Sequence, residues 1–286
     1  MTSRTLFACL ALLSGCGDGD SHSAPDAPTA DAPAAPIAVT IPFAAQFGAT
    51  PFVCGAPSPD VGSPAATYTA TDLRLYIYDV KLIADDGREE KVALDPNPFQ
   101  GNGVALLDFE NGCGTDGTAE LHTAITGTVA GGSYHRVAFT LGVPADQDHL
   151  DLATATAPLD VTGMYWAWLS GYKFLKLDGT VPAGAGVTPF FLHLGASGCP
   201  GDNFGGPPAA PCAYPNQVAY DLTGFDLVSK KIVLDLGAVL ATVDLATNTP
   251  DTAPGCMSEP GDPECITVLP RLGVNGAANQ MLFKIE

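Results

Sequence analysis

The sequence predicts an all-β fold, a single antiparallel β-sandwich or barrel-like domain whose long loops are pinned by disulfides. Three observations predict it. Apolar and polar residues alternate in short runs along most of the chain, the period-2 pattern of strands. Turn formers are frequent, with 32 Gly and 25 Pro, while only 15% of residues are charged. That balance suits strands joined by loops rather than helices. Hydrophobic residues make up 46%, enough for a sizeable core.

The first segment is read as an export signal. Arg4 gives a basic start, and the apolar run Leu6 to Leu13 is too short to span a bilayer as a helix. The run ends in Leu13-Ser14-Gly15-Cys16, which resembles a bacterial lipoprotein box. This assigns 1–15 to a signal peptide and makes Cys16 the lipidated first residue of the mature chain. Gly17 after the Cys favours outer-membrane sorting by the same resemblance. No later stretch reaches a transmembrane length. Residues 16–37 are rich in Pro, Ala and Asp and read as an extended tether, with His22 a solvated residue within it. Residues 38–286 are read as one domain.

Within that domain the strand candidates are 38–47, 72–83, 90–94, 103–109, 119–129, 133–141, 161–168, 172–178, 188–194, 217–223, 225–236 and 280–285. The clearest is 72–83, which sets Leu73, Leu75 and Ile77 on one face and Tyr76, Tyr78 and Val80 on the other. Only 236–246 reads as a short helix. The stretches 196–216 and 247–265 are long loops.

Cys9 leaves with the signal peptide and Cys16 carries lipid, so six of the 8 Cys remain. An even count in an exported protein reads as disulfides. Locality pairs Cys199 with Cys212 and Cys256 with Cys265, which leaves Cys54 with Cys113. A thiolate metal site would need reduced thiols, and the chain has no CxxC.

Lys plus Arg number 12 against 31 Asp plus Glu, a net charge of -19. This argues against binding nucleic acid or anionic lipid surfaces, both of which need clustered cations. No serine-hydrolase elbow, HExxH or P-loop occurs. His122 and His135 fall inside alternating runs and read as structural. His149 follows a loop. His193 closes the run Pro189 to Leu192 beside Gly195, a place from which a strand-end His reaches a metal. The two Trp of the chain, Trp166 and Trp168, lie with Met164 in one alternating run, on one face if that run is a strand.

The series Leu106 to Gly112, Phe139 to Pro144, Asp148-His149, Pro158-Leu159, Met164 to Trp168 with Gly171-Tyr172-Lys173-Phe174, and His193-Leu194-Gly195 with Cys199 resembles the MbnP-type copper-binding proteins. These are also described as the four-Cys member of a metallo-mystery pair. The motifs run in order over roughly residues 38–240. The resemblance implies a non-catalytic copper protein in which a Trp is oxidised to kynurenine by a partner, a di-haem protein of the MauG-like cytochrome c peroxidase type. Indole has no free lone pair, whereas ring opening exposes an amine and a ketone that can coordinate. The implied copper ligands are His149, His193, a kynurenine from Trp166 or Trp168, and Met164, with Trp166 favoured for modification. Copper scavenging, storage or handover in the periplasm or at the cell surface is the implied role. Two departures stand out: Asp148 where the family usually has Asn, and the extra pair Cys256 and Cys265. On the residues alone, two other classes compete. One is a structural or glycan-binding sandwich whose Trp pair is a stacking platform or core. The other is a calcium-stabilised module using loops such as Asp85-Asp86-Gly87.

Overall fold

The computed structural model describes residues 35–286 except 168, 202–205 and 277–279. The expected signal peptide, the expected lipidation site Cys16 and most of the expected tether lie outside the described residues. Two sheets face each other. The smaller runs in the order Phe283–Ile285, Ile232–Asp235, Pro36–Phe47, Ala124–Ala130 and Ala93–Leu94. The larger runs Val218–Thr223, Arg136–Leu141, Ala66–Ile83, Gly171–Ala183, Gly186–Gly195 and Gly255–Cys256. Among the described residues two pairings are parallel, 43–46 with 232–235 and 191–192 with 255–256, and the other strand pairings are antiparallel.

The first strand begins at Pro36, two residues before the predicted domain start. Val39, Ile41, Phe43, Ala45 and Phe47 alternate inward along it. Phe43 meets Phe139 of the opposite sheet edge-on at 6.0 Å, and Phe139 meets Phe283 at 5.0 Å. The predicted strand 72–83 extends to Ala66–Ile83 and is the spine of the larger sheet. It bonds to Gly171–Ala183 over residues 69–75 and to Arg136–Leu141 over residues 77–83.

Some expectations fail for identifiable reasons. Residues 225–231 form no strand; the strand is Ile232–Asp235. Asp235 then caps the short helix Leu236–Leu240 by accepting from the Ala238 N–H at 3.0 Å. Residues 161–168 are not one strand. Thr162–Met164 is a 3-10 turn and only Tyr165–Ala167 is extended. The loop 247–265 contains the strand Gly255–Cys256 and leads into an unpredicted helix, Cys265–Leu272. That helix buries Cys265, Val268, Leu269 and Leu272 at helical spacing, but Thr267 and Pro270 hide it from propensity. The predicted disulfides all form: Cys54–Cys113, Cys199–Cys212 and Cys256–Cys265.

The spine strand is buried on both faces. Leu73 and Leu75 sit in register with Leu177 and Leu175 and pack into the core. The other face carries Asp72, Arg74, Lys176 and Asp178, all on adjacent register positions. Arg74 Nε donates to Asp72 Oδ1 at 2.9 Å, Lys176 Nζ lies 2.7 Å from Asp72 and 3.3 Å from Asp178. The segment 143–170 roofs this layer: Tyr76 donates to Pro158 O, Tyr172 to Leu159 O and Lys173 Nζ to Gly163 O. Buried charges are tolerable here because each meets an opposite charge.

Removing one partner strands the rest. Arg74→Met is expected to destabilise the domain by about 3–5 kcal/mol, read from urea unfolding, because Asp72 stays buried with half its partners gone. Nearby, burial pushes the Asp108 carboxyl up to about 7 despite the hydrogen bond from the Glu110 N–H. The native state therefore holds a proton that the unfolded chain releases near pH 4. That contribution is full below about pH 4 and is lost as pH rises through about 7. Asp108→Asn should flatten the stability profile across this window, measured by urea midpoints on either side of it.

Candidate metal centre

The hairpin Gly171–Ala183 and Gly186–Gly195 sets Lys173 opposite Gly195 and Lys176 opposite His193. The short strand Tyr165–Ala167 hooks back onto the start of this hairpin, with Tyr165 opposite Tyr172 and Ala167 opposite Gly171. Two glycines make the fold-back possible. A Cβ on Gly195 would lie 2.6 Å from Trp166 Cζ3, so the indole covers bare backbone there. Gly171 has φ +66, and a Cβ on it would lie 2.3 Å from the Asp148 carbonyl. Trp166 thus covers the end of the Gly186–Gly195 strand. Its ring centroid is 6.0 Å from that of His193, and Lys173 Nζ stands 6.0 Å from the indole.

His193 has one nitrogen committed and one open. Nε2 lies 2.5 Å from Asp178 Oδ1, and its ring stacks on Phe191 at 5.8 Å. Its buried Nδ1 has no hydrogen-bond partner. Burial holds the imidazolium below its ordinary pKa, against the opposing pull of the Asp178 hydrogen bond, so the ring is neutral near pH 7. Asp178 is pushed up by burial, but the His193 hydrogen bond and Lys176 bring it below the usual carboxylate range. A carboxylate on one imidazole nitrogen, with the other left as an acceptor, is the arrangement of a metal-ligating His.

His149 lies in a different wall of the same loop cluster. Its Nε2 is 3.5 Å from Asp148 Oδ2 and 3.6 Å from Cys212 Sγ. Asp148 is buried and accepts from the Tyr172 N–H at 2.9 Å. Burial raises its carboxyl to about 7, the Tyr172 bond opposing, so near neutrality it is partly protonated. The full extra charge expected from Asp in place of Asn is therefore muted. His149 opens into a cavity of about 530 Å³ with a proline-rich wall, Pro207, Pro208, Pro211 and Pro215. Trp166 opens into a second cavity of about 320 Å³. Ala196 borders both cavities, and the Cys199–Cys212 bridge gives one sulfur residue to each. The ligand atoms of His149, Cys199 and Cys212 lie within 4.8 Å of one another, but the sulfurs are bonded to each other at 2.04 Å. A disulfide supplies no thiolate, so this cluster is not a Cys–His metal site.

Met164 is fully buried in the hydrophobic cluster and lines neither cavity. The expected face shared with Trp166 is broken by the 3-10 turn that ends at Met164. Trp168 lies outside the described residues. His122 and His135, read as structural from the sequence, lie away from both cavities. His122 stacks on Phe99 at 4.8 Å with Nδ1 2.7 Å from Leu106 O, and His135 is exposed beside Asp85 at 3.4 Å. Asp86 of the proposed calcium loop accepts from the Arg88 N–H at 2.9 Å, a turn contact. Sequence reasoning missed Asp178 and the buried ion layer. Their signal was present: Asp72, Arg74, Lys176 and Asp178 interrupt otherwise apolar strands at period 2.

The model of the MbnP family matches residues 36–258 of this chain. The solved structure of MbnP from Methylosinus trichosporium is similar at 28% identity with a TM-score of 0.76, covering 88% of this chain and 98% of that one. No curated protein matches.

The seat of Trp166 is testable without any metal. Gly195→Ala puts a methyl group into the indole and within 2.7 Å of Tyr172 O. It should cost about 1–3 kcal/mol by overpacking and expose Trp166, seen as a red-shifted tryptophan emission against that of a Trp168→Phe background.

Proposed function

Because the chain belongs to the MbnP family, we propose that it is an exported copper-binding protein and a substrate of modification rather than an enzyme. The observation that carries this reading is the buried Nδ1 of His193, which has no partner while Asp178 holds Nε2. A neutral imidazole suits copper, and an acceptor nitrogen buried without a donor is a cost that a bound cation offsets. His193 is the primary ligand in this reading and His149 the second imidazole of the loop cluster.

Trp166, beside His193, is the favoured residue for conversion to kynurenine, with Trp168 the alternative. The conversion needs an oxidant, peroxide, and a di-haem MauG-like partner to activate it. Two peroxides cleave the indole C2–C3 bond, giving the formyl derivative and two waters; hydrolysis then releases formate. The aryl amine and ketone so formed join the donor set that copper meets, a metal that accepts nitrogen and oxygen donors. Scavenging, storage or handover of copper is the role in this reading.

Lipidation at Cys16 would tether the domain to the outer membrane, facing the periplasm or the cell surface. The described chain begins beside Gly131, whose N–H donates to Ala35 O, next to the start of the Arg136–Leu141 strand.

Protein made with its partner should carry one kynurenine, found by peptide mass spectrometry, and bind copper stoichiometrically. His193→Ala and His149→Ala should each lose copper while the circular dichroism spectrum stays unchanged. Trp166→Phe should fold, lack kynurenine absorbance and bind little copper. Full copper retention in His193→Ala would overturn the reading.

A further inference from the structure

The candidate centre has a wall that the family match barely reaches. The match ends at residue 258, inside the loop that the Cys256–Cys265 disulfide closes. This loop adds a parallel edge to the strand of His193, with Phe191 in register with Gly255 and Leu192 with Cys256. Continued by one residue, the register sets Met257 beside His193. Neighbours in register point to the same face of a sheet. Met257 also lines the 320 Å³ cavity together with Trp166 and Glu259.

Ser258 fixes this placement. It is fully buried and held at φ 72. Its hydroxyl donates to His193 O at 2.9 Å and accepts from the Gly195 N–H at 2.8 Å. Its carbonyl accepts from Ser197 Oγ at 3.2 Å and Asn216 Nδ2 at 3.4 Å. A residue so tied to both ends of the His193–Gly195 segment holds its two neighbours at the same place. A methionine that only fills a gap belongs in the apolar core, as Met164 does. Met257 instead stands half-buried in the wall of the cavity that Trp166 lines, and the Trp166 ring lies 6.0 Å from that of His193, whose Nδ1 is open.

We infer that Met257 is a copper ligand contributed by the C-terminal disulfide loop, and that its thioether biases the centre toward Cu(I). The inference rests on the copper reading above. A neutral, polarisable sulfur stabilises Cu(I) over Cu(II). Every described cysteine is in a disulfide, so a thiolate cannot supply that sulfur.

The test uses the full chain made with its partner, as wild type, Met257→Leu and His193→Ala. Cu(I) affinity is read by competition with a chromophoric Cu(I) chelator, Cu(II) affinity by competition with a Cu(II) chelator. X-ray absorption on the Cu(I) form reads sulfur in the coordination shell. Met257→Leu conserves volume and should leave the melting temperature unchanged. It should weaken Cu(I) binding roughly tenfold or more while Cu(II) affinity changes by less than about twofold, and it should remove the sulfur signal. A wild-type centre with no sulfur scatterer overturns the inference, as does an unchanged Cu(I) affinity in Met257→Leu. Equal losses of Cu(I) and Cu(II) with a lowered melting temperature also overturn it, since they mark a purely structural residue. Copper binding absent from wild type, or surviving in His193→Ala, overturns the copper reading itself and the inference with it.

Discussion

The structure depends on a line of opposite charges that crosses the larger sheet, Arg74 to Asp72 to Lys176 to Asp178, and ends on the neutral imidazole of His193. Taking ions out of water costs several kcal/mol each, and only close opposite partners offset that cost. The line therefore fixes the register of three strands more strictly than apolar packing would. Slipping one strand by a residue would swap leucines for charges on both faces at once. Its last member is the histidine of the candidate centre. The same charge line thus orients the imidazole through Asp178, while burial keeps the ring neutral.

The loops gather at that end because the backbone lets them approach. Gly171 and Gly195 leave no side chain where Asp148 and Trp166 press in. The Cys199–Cys212 bridge divides the resulting space into two cavities, one beside His149 and one beside Trp166. The Cys256–Cys265 loop walls the second through Ser258. A centre built this way is assembled from four separate chain segments, each held by backbone hydrogen bonds or a disulfide. Such support fixes the backbone that carries these side chains.

Much of the fold was legible as pattern. The strand 36–47 shows plain alternation, and the three disulfides followed from an even cysteine count with two short loops to close. The misses share a cause. Residues 161–168 alternate in sequence, yet the roof over Tyr76 and Arg74 needs a tight turn at Thr162–Met164, which sends Met164 into the core and Trp166 outward. The helix Cys265–Leu272 forms because its cysteine is tied to Cys256 and its apolar stripe has a surface to cover. Neither influence is local, so neither appears in propensity or period.

By itself the sequence determined an all-β class, the disulfide pairing, and the resemblance that singled out His149, His193 and the Trp pair. Those are carried by composition, by period and by motifs a few residues long. The tertiary structure alone decided that Asp178 holds His193, that Met164 is core, and that His149 and Trp166 face different cavities. It also decided that the C-terminal disulfide loop pairs with the strand of His193 and brings Met257 to the cavity of Trp166. The physical reason is that each of these pairs residues far apart in the chain, or on different sides of a bend. Which nitrogen meets which carboxylate is set by strand register and burial, quantities that exist only once the sheets have closed on each other.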